Sequence, residues 1–463
     1  MICMNNDTGG IFPMGRIFGT DGVRGLANKE LTVELAMKLG QAGAYVLSKK
    51  SGEQPKIMVG CDTRRSGDML ANAIMAGACS VGANVIYLGI LPTPAVAYLA
   101  KKHGADAGIV ISASHNPMEF NGIKFFDGNG FKLPDAIEDE IQAQIESGMR
   151  DVIFPTGAGV GSIEYRTDGW KEYTDHAIET VPVKLSGMKL VVDTANGAAS
   201  LSNVTALQKL GAEVIPIHND PNGININKDC GSTHMESLQK TVLEEHADMG
   251  LAFDGDADRF LAVDETGAVV DGDKIMAIVG CSMKKHGTLR KNTIVVTVMS
   301  NLGFFKMGEA HGINIDRTKV GDRYVLEHMK EIGSNIGGEQ SGHIIFLDDN
   351  TTGDGLLSAL HLLSVVKEEG KPLSELAKVM KKYPQALVNA AVPNDKKDHY
   401  RDFPEIAARI DALEEEFSGN GRVLIRPSGT EPLVRVMIEG EDQAVIQKKA
   451  EELAGFIENE MNL

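Results

Sequence analysis

Short apolar runs rich in β-branched residues alternate with stretches of helical periodicity along most of the chain. The first set contains the strand-like runs 56–60, 84–88 and 107–111, with a helical pattern between each run and the next. Such runs are typical of strands buried on both faces, and the alternation favours a parallel sheet with right-handed crossovers. The pattern recurs twice before a segment of different order begins at residue 384. The sequence therefore predicts three related α/β domains with parallel or mixed sheets and a smaller α+β domain at the carboxyl end.

The length of 463 residues is enough for three or four domains. We place the domain boundaries where the repeats of strands and helices end. Residues 1–13 show no periodic pattern, and we expect them to be a disordered extension. The predicted domains are 14–160, 161–264, 265–383 and 384–463.

Composition narrows the possible partners. The net charge of −18, from 46 basic and 64 acidic residues, argues against nucleic acid as a partner. The 5 cysteines are widely spaced and form no CxxC pair, which argues against a disulfide framework or a zinc site. No stretch approaches the ~18 apolar residues of a membrane span, and the amino terminus lacks a signal-peptide core. We therefore expect a cytoplasmic protein that acts on a small molecule and has no membrane partner.

The segment from Gly108 to Phe126 contains the most informative loop. Its apolar strand ends in the sequence Ala-Ser-His-Asn-Pro, where proline forces the backbone out of the sheet. Ser114 thus follows the carboxyl end of a buried strand, which is where open α/β sheets bind their ligands. His115 is the next residue, and Lys124 lies on a second strand-like run. The alternative is a polar turn in which serine and asparagine are only turn formers.

Three aspartates alternate in a second polar loop. Asp254, Asp256 and Asp258 can converge on one point, and neighbouring carboxylates repel one another unless a cation neutralises them. Ligands that are all oxygen select a hard ion, Mg²⁺ before Zn²⁺. Together with Glu265 they also match positions of a calcium-binding EF-hand loop, but Arg259 stands where that loop requires glycine. A solvated acidic turn without a metal is the other alternative.

Further loops carry side chains that are suited to bind sugar hydroxyls and phosphate. One loop offers a carboxylate, a hydroxyl and an imidazole, which are groups that hold sugar hydroxyls: Glu339, Ser341 and His343. The loop 426–432 combines an arginine, two hydroxyl side chains and the amides of a glycine turn, the parts of a phosphate-binding loop. We expect Arg24, between two glycines, on a tight loop that faces a cleft. Three further candidate contacts to phosphate or sugar lie in one short loop: Gly321, Asp322 and Arg323.

In this order and spacing the loops resemble those of the α-D-phosphohexomutase family, from about residue 14 to the carboxyl terminus. The segments that carry the resemblance most clearly are FGTDGVRG at 18–25, ISASHNP at 111–117 and GGEQSGH at 337–343. The resemblance implies three related α/β domains and a smaller fourth domain around one central cleft. It also implies an isomerase, an intramolecular phosphotransferase. The residues before 14 are an addition to the family's pattern.

The resemblance also implies roles for individual residues. Ser114 carries the phosphoryl group, and its phosphorylation is required for activity. One Mg²⁺ per chain is held by an oxygen of this phosphoserine together with Asp254, Asp256 and Asp258. Glu339 and Ser341 bind the sugar. The phosphate that is not transferred is bound by four residues of the last domain: Arg426, Ser428, Gly429 and Thr430.

A sugar hydroxyl that attacks phosphorus must lose its proton, so the reaction needs a base. We expect Lys124 to be this base, with its pKa lowered toward neutrality by nearby Arg24 and Arg259. His343 is the second candidate for acid–base chemistry. We expect His115 to orient the serine loop.

The same three segments are most similar to the branch of the family that interconverts glucosamine 6-phosphate and glucosamine 1-phosphate through a 1,6-bisphosphate. The phosphoglucomutase and phosphomannomutase branches use the same mechanism on sugars with a 2-hydroxyl. No motif in this sequence distinguishes the C2 substituents, so these branches remain an alternative. A non-catalytic protein that binds a metal or a sugar phosphate is a third alternative. A homodimer is compatible with this interpretation.

Overall fold

The computed structural model describes residues 15–19, 21–48, 54–150, 152–180, 183–428 and 431–462. Within these ranges the chain forms four sheets, of six, five, four and three strands. Helices accompany each sheet, so the chain has three α/β domains and a smaller fourth domain. The predicted α/β class with mixed sheets is therefore confirmed. The extension predicted at residues 1–13 lies outside the described residues.

The first domain is an α/β unit with a six-stranded mixed sheet. Its strands and helices are β1 (Val23–Leu26), α1 (Val33–Leu47), β2 (Lys56–Cys61), α2 (Ser66–Ser80), β3 (Asn84–Ile90), α3 (Thr93–Lys102), β4 (Ala107–Ile111), β5 (Phe120–Asp127), α4 (Asp135–Glu146) and β6 (Ile163–Tyr165). The strand order is β1-β5-β4-β2-β3-β6, and β5 runs antiparallel to both of its neighbours. Helices α1 and α2 approach closely at Gly77 because this residue has no side chain. A Cβ there would lie only 2.1 Å from the carbonyl oxygen of Met37.

The second domain has a five-stranded sheet. Its elements are α5 (Gly169–Thr180), β7 (Lys189–Asp193), α6 (Ala199–Lys209), β8 (Glu213–Ile217), α7 (Glu236–Glu244), β9 (Met249–Phe253), β10 (Phe260–Asp264) and β11 (Val269–Val270). The strand order is β11-β10-β9-β7-β8, with β8, β7 and β9 parallel and β10 antiparallel to β9. The turn between β9 and β10 therefore places residues 254–259 at the carboxyl end of a buried parallel strand.

The third domain has a four-stranded sheet. Its elements are α8 (Gly272–Lys285), β12 (Thr293–Thr297), α9 (Leu302–His311), β13 (Asn314–Thr318), α10 (Asp322–Ile332), β14 (Ile336–Gly338), β15 (Ile344–Phe346), α11 (Gly355–Glu369) and α12 (Leu373–Leu376). The strand order is β13-β12-β14-β15, and β14 and β15 form an antiparallel hairpin. The loop of this hairpin contains residues 339–343.

The fourth domain is a three-stranded antiparallel sheet with two helices. Its elements are β16 (Gln385–Ala391), α13 (Pro404–Glu416), β17 (Arg422–Pro427), β18 (Leu433–Glu439) and α14 (Gln443–Asn462). The strand order is β16-β18-β17. Helix α14 buries the stripe expected from its periodicity: Ile446, Ala450, Leu453, Ile457 and Met461. The predicted α+β arrangement of this domain is confirmed.

The hydrophobic cores divide the molecule unevenly. The largest cluster extends through the first three domains, from Met58 to Met380. A second cluster fills the other face of the first sheet. The fourth domain has a cluster of its own, whose buried members all lie between Ala386 and Met461. Among the described residues, no helix has the length and apolar character needed to cross a membrane.

A polar junction connects the third and fourth domains. Nδ2 of Asn301, in the loop after β12, donates to the carbonyl oxygen of Tyr383 at 3.0 Å and to Oε1 of Glu439 at 2.9 Å. Its Oδ1 accepts the backbone N–H of Tyr383 at 2.9 Å. Glu439 is fully buried, and Asp273 of α8 accepts the backbone N–H of Asn301 at 2.7 Å. One asparagine thus ties the connecting segment to both domains.

Candidate active site

Ser114 lies just beyond the carboxyl end of β4, as predicted. Its side chain is buried, and its backbone has a φ of 54°, in the left-handed region that side chains rarely adopt. Its Oγ donates to Oδ2 of Asp254 at 2.5 Å and lies 3.3 Å from Nδ1 of His115. The structure therefore brings the serine loop of the first domain against the acidic loop of the second.

The three aspartates that follow β9 form a buried cluster. One oxygen from each of Asp254, Asp256 and Asp258 lies within 4.8 Å of the other two. An EF-hand loop lies between two helices, whereas two antiparallel strands flank this loop. Glu265, the fourth residue matched to the EF-hand pattern, lies in the turn after β10 and accepts a hydrogen bond from Ser374. The EF-hand alternative is therefore wrong. The solvated-turn alternative is also wrong, because the carboxylates are buried.

The donor set of this cluster suits a hard divalent cation. Oδ1 of Asp256 and Oδ1 of Asp258 are buried and have no hydrogen-bond partner among the described residues. Burial, followed by repulsion from Asp258 and Asp256, raises the pKa of Asp254 well above its ordinary range. A cation between the carboxylates would satisfy the free oxygens and remove the repulsion. The residues present therefore fit Mg²⁺, which prefers oxygen ligands.

Lys124, on β5, is surrounded by carboxylates. Its Nζ lies 2.8 Å from Oδ2 of Asp256, 2.9 Å from Oδ2 of Asp21 and 3.5 Å from Oδ2 of Asp258. Burial alone would lower the pKa of Lys124, but these three carboxylates outweigh burial and raise it well above its ordinary value. The expectation that the two nearby arginines lower this pKa toward neutrality is therefore wrong. The three carboxylates all lie within 3.5 Å of the ammonium group.

Arg24 and Arg259 face the same region from the first and second domains. Arg24 lies on strand β1, opposite Gly122 of β5, and not on the predicted tight loop. Its guanidinium donates to Oδ2 of Asp21 at 2.5 Å. Nε of Arg259 is buried without a hydrogen-bond partner in the described part of the chain. Burial, followed by the charges of Arg259 and Arg24, lowers the pKa of His115 to about 4, so its imidazole is neutral near pH 7.

A cavity of about 520 Å³ opens between the first three domains. Arg24, Arg259 and six other residues of interest are among those that line it: Ser114, Asp258, Gly321, Asp322, Glu339 and His343. Nε2 of His343 lies 3.4 Å from Oδ2 of Asp322 and 3.9 Å from Oδ2 of Asp258. Oε1 of Glu339 accepts the backbone N–H of Gly321 at 3.2 Å. The loops predicted to act together do share one cavity in these three domains.

Two predicted residues of the third domain lie outside the lining of this cavity. Nη1 of Arg323 pairs with Oδ1 of Asp135 at 2.6 Å, and its Nε pairs with Oε1 of Glu327 at 3.2 Å. The guanidinium of Arg323 is thus engaged by acids on two helices. Ser341 is exposed at the tip of the hairpin between β14 and β15.

The loop of the fourth domain that we predicted to bind phosphate also lies outside the lining of this cavity. Arg426, on β17, stands opposite Arg435 in the sheet and has no ion pair with any residue that the structure describes. Burial, followed by the charge of Arg435, lowers the pKa of Arg426 below its ordinary value. Ser428 is buried, and its Oγ accepts the backbone N–H of Glu431 at 3.2 Å. Gly429 and Thr430 lie outside the described residues.

Three charged residues that line the cavity were not among the predicted site residues: Arg16, Asp21 and Lys132. Nζ of Lys132 pairs with Oδ1 of Asp21 and with Oδ2 of Asp322, each at 2.5 Å, and so bridges the first and third domains. The charges of Lys124, Lys132 and Arg24 hold the pKa of Asp21 well below its ordinary range, although burial opposes this. Asp21 lies three residues before Arg24, within the FGTDGVRG motif at 18–25. Its position in this motif was the feature of the sequence that could have identified it as a site residue.

Family models match the chain along most of its length. They are described as phosphoglucomutase/phosphomannomutase alpha/beta/alpha domain I over residues 15–151, domain II over 171–267, domain III over 271–383 and C-terminal domain over 387–456. The chain belongs to the phosphoglucomutase/phosphomannomutase family. The predicted resemblance is confirmed, and membership of this family makes the protein an isomerase, an intramolecular phosphotransferase.

Several relatives within the family are similar over nearly their whole length. A phosphoglucosamine mutase from Clostridium kluyveri is 58% identical over 450 residues, which cover 97% of this chain and 100% of the relative. A phosphoglucosamine mutase from Ruminiclostridium cellulolyticum is 57% identical over 449 residues, with 97% and 100% coverage. The phosphoglucosamine mutase of Clostridium tetani is 58% identical and covers 96% of this chain and 99% of its own.

Solved structures of the family share the fold. A phosphoglucomutase/phosphomannomutase family protein from Burkholderia thailandensis has a TM-score of 0.79 at 24% identity and covers 97% of this chain and 99% of its own. The N-acetylphosphoglucosamine mutase of Aspergillus fumigatus, in complex with GlcNAc-6P and magnesium, has a TM-score of 0.68 at 18% identity over 96% of both chains. At these identities the likeness shows the four-domain family fold.

Proposed function

We propose that this protein interconverts glucosamine 6-phosphate and glucosamine 1-phosphate through a phosphoserine at position 114 and a 1,6-bisphosphate. The observation that carries the proposal is the contact of Ser114 Oγ with Oδ2 of Asp254, 2.5 Å away, at the wall of the shared cavity. The choice of sugar is supported by the relatives named phosphoglucosamine mutase, which are 58% and 57% identical over almost the whole chain.

In the proposed reaction the phosphoryl group leaves Ser114 and joins the free O1 of glucosamine 6-phosphate. The bond from phosphorus to the serine Oγ breaks as the bond to the sugar oxygen forms. The 1,6-bisphosphate then turns end for end in the cavity and returns its 6-phosphoryl group to Ser114. Because Ser114 is buried in its loop, transfer to water is disfavoured.

The acidic cluster supplies the site for the proposed cofactor. Asp254, Asp256 and Asp258 would hold one Mg²⁺ per chain, which neutralises charge on the transferring phosphoryl group when it is bound. Arg24 and Arg259 line the same cavity and would bind phosphoryl oxygens with their guanidinium groups.

Lys124 and His343 are the proposed acid–base residues. Lys124 is held among carboxylates that stabilise its ammonium form, and a cation bound by the cluster would offset these carboxylates and bring the pKa of Lys124 toward the range that proton exchange requires. Nε2 of His343 lies 3.4 Å from Oδ2 of Asp322, and both residues line the cavity in which the sugar hydroxyls would lie. We assign His115, whose Nδ1 lies 3.3 Å from the Oγ of Ser114, to orienting that hydroxyl.

The remaining predicted residues are proposed to bind the substrate. Glu339 and Ser341 hold sugar hydroxyls, with Gly321, Asp322 and Arg323 beside them. The phosphate that is not transferred is assigned to a loop of the fourth domain: Arg426, Ser428, Gly429 and Thr430. The lack of an ion pair for Arg426 among the described residues supports this role. The bisphosphate must turn without escaping, so we propose that the fourth domain closes on the cavity about the connection at Tyr383.

The test combines mass with turnover. The intact mass of the purified protein should show one added phosphate, about 80 Da, on Ser114. A coupled assay with a hexose 1,6-bisphosphate present should show turnover of glucosamine 6-phosphate above that of the glucose and mannose phosphates. Ser114→Ala should abolish both signals, and Ser80→Ala, at the end of α2, serves as the matched control. Normal turnover by Ser114→Ala would overturn the mechanism, and faster turnover of a glucose or mannose phosphate would overturn the choice of sugar.

We also propose that the protein acts in the cytoplasm. Cys61, Cys79, Cys230 and Cys281, the cysteines of the described residues, are free thiols. Unpaired cysteines are typical of reducing compartments. Localisation of a tagged protein by fractionation would test this assignment.

A further inference from the structure

Arg64 follows β2 and is turned inward beneath the serine loop. Its side chain is inaccessible to solvent. Its Nη2 donates to the carbonyl oxygens of Ser114 at 2.9 Å and Asn116 at 2.8 Å. Its Nη1 donates to the carbonyl oxygens of Pro117 at 2.5 Å and Phe120 at 3.1 Å. One guanidinium thus satisfies four carbonyl groups of the loop that leaves β4.

A second set of hydrogen bonds returns from the same arginine to the amide of Ser114. Nε of Arg64 donates to Oδ2 of Asp62 at 2.9 Å. The Oγ of Ser112 donates to the same Oδ2 at 2.6 Å, and the backbone N–H of Ser114 donates to the Oγ of Ser112 at 2.9 Å. Both backbone polar groups of Ser114 are therefore held, directly or through one hydroxyl, by the pair Asp62–Arg64.

This double attachment matters because of the backbone conformation of Ser114. Its φ of 54° is one that a serine adopts rarely and keeps only where surrounding contacts enforce it. Transfer of a phosphoryl group requires the donor oxygen, phosphorus and acceptor oxygen to lie nearly in line. A change of the backbone at Ser114 would swing the Oγ away from Asp254 and from that line.

We propose that Arg64 is a positioning residue for phosphoryl transfer, which acts by fixing the backbone of the Ser114 loop. This inference rests on the proposed role of Ser114 as the carrier of the phosphoryl group. Arg64 itself does not line the cavity and contacts no reacting atom. Lysine cannot replace it, because an ammonium has three donors on one atom where the guanidinium has five in a planar fork.

The loop is also held from the second domain. Nδ2 of Asn227 donates to the carbonyl oxygens of Ser114 at 2.8 Å and Asn116 at 3.0 Å. These are two of the four carbonyls that Arg64 binds. The contacts from Asn227 should keep the loop near its place when Arg64 is changed, so a lysine variant is expected to fold and to show a defect in transfer.

The test compares Arg64→Lys with Arg65→Lys, the neighbouring arginine, whose side chain is exposed. We expect Arg64→Lys to lower kcat by about 100-fold, as a small misplacement of a reacting group does. KM should stay within about threefold, because the contacts to substrate are intact. The Arg65→Lys control should behave as the wild type. A purely structural role would lower the melting temperature and leave kcat of the folded enzyme unchanged, and that result would overturn the proposal.

Hydrogen exchange supplies a readout that does not depend on turnover. In Arg64→Lys, amides between residues 114 and 120 should exchange about tenfold faster or more, while those of β4 keep their protection. If the wild type proves to have no mutase activity, the proposed function fails, and the exchange data still decide whether Arg64 holds the loop. Should Arg64→Lys fail to fold, Ser112→Ala carries the test, with the same loss of kcat expected. Unchanged kcat and unchanged exchange in either variant would overturn the inference.

Discussion

Nζ of Lys124 lies 2.8 Å from Oδ2 of Asp256, so an ammonium group of the first domain sits against the acidic cluster of the second. The same Nζ is 2.9 Å from Oδ2 of Asp21. A divalent cation bound by the cluster would have to share Asp256 with this ammonium, and two positive charges at one carboxylate repel each other. Metal affinity and the charge of Lys124 should therefore be linked.

Replacing Lys124 by Met should raise the affinity for Mg²⁺ and lower turnover. Removal of a unit charge a few ångströms away contributes about 1–4 kcal/mol, so we expect the Kd for Mg²⁺ to fall by about tenfold or more in calorimetric titrations. Lys101→Met is the matched control, since Lys101 is an exposed lysine near the end of α3 in the same domain and does not line the cavity. Equal Mg²⁺ affinity in the wild type and Lys124→Met would show that no such competition exists.

Asp256→Asn should weaken Mg²⁺ binding by at least about tenfold and lower the rate, because a hard cation loses an anionic ligand. Activity is measured across a magnesium titration. Asp248→Asn, just before the opposite end of β9, is the control and should titrate as the wild type does. Full activity of the wild type after exhaustive chelation would contradict the metal assignment.

Arg426→Ala should act on affinity more than on the chemical step. A bidentate charge-assisted pair contributes about 1.5–3 kcal/mol, so KM should rise roughly 10- to 150-fold with little change in kcat. Lysine should restore only part of the affinity, because it lacks the planar fork. Arg409→Ala is the control, since Arg409 lies on α13 of the same domain and is exposed. An unchanged KM together with a lower melting temperature would make Arg426 a structural residue of the fourth domain.

The junction between the third and fourth domains should have a pH signature. Burial, followed by repulsion from Asp271, raises the pKa of Asp273 to about 7, even though Asn301 and Ser300 donate to it. In the unfolded chain an aspartate titrates near its ordinary pKa of about 3.9. The folded protein therefore binds an extra proton between these values, so this contribution to stability is complete below about pH 4 and is lost as pH rises through 7.

The variant Asp273→Asn isolates this effect. Between pH 5 and 8 the melting temperature of the wild type should fall relative to that of the variant, as measured by scanning calorimetry at each pH. Other titrating groups are common to both proteins and cancel in the difference. A difference that does not vary with pH would mean that Asp273 keeps an ordinary pKa.

The parts of the site that could be predicted are those that follow directly from a buried strand. Ser114 and the aspartates Asp254, Asp256 and Asp258 each come just after an apolar run, and such runs reveal both the strand and the edge of the sheet where it ends. The α/β class with mixed sheets could be predicted as well, because strands that alternate with helices along the chain favour parallel pairing with right-handed crossovers.

What could not be predicted depends on contacts between distant segments. The ammonium of Lys124 keeps its charge because Asp21 and Asp256 approach it from positions far away in the sequence. Arg323 lies in a motif that predicts a contact to phosphate or sugar, but its guanidinium forms an ion pair with Asp135 of the first domain. The interaction between two charges weakens with distance. Which charges interact therefore depends on tertiary packing, and a local sequence pattern does not reveal that packing.

The separate hydrophobic cluster of the fourth domain has a thermodynamic consequence. Its buried members all lie between Ala386 and Met461, whereas one cluster runs through the other three domains. A unit with its own core can lose its structure while its neighbours keep theirs. Scanning calorimetry should then record two endotherms. The hydrogen bond between Asn301 and Glu439, which connects the third and fourth domains, should affect the difference between the two melting temperatures. Heat would in that case unfold the loop proposed to bind phosphate before it unfolds the region around Ser114, and inactivation would precede global denaturation and be reversible over that interval.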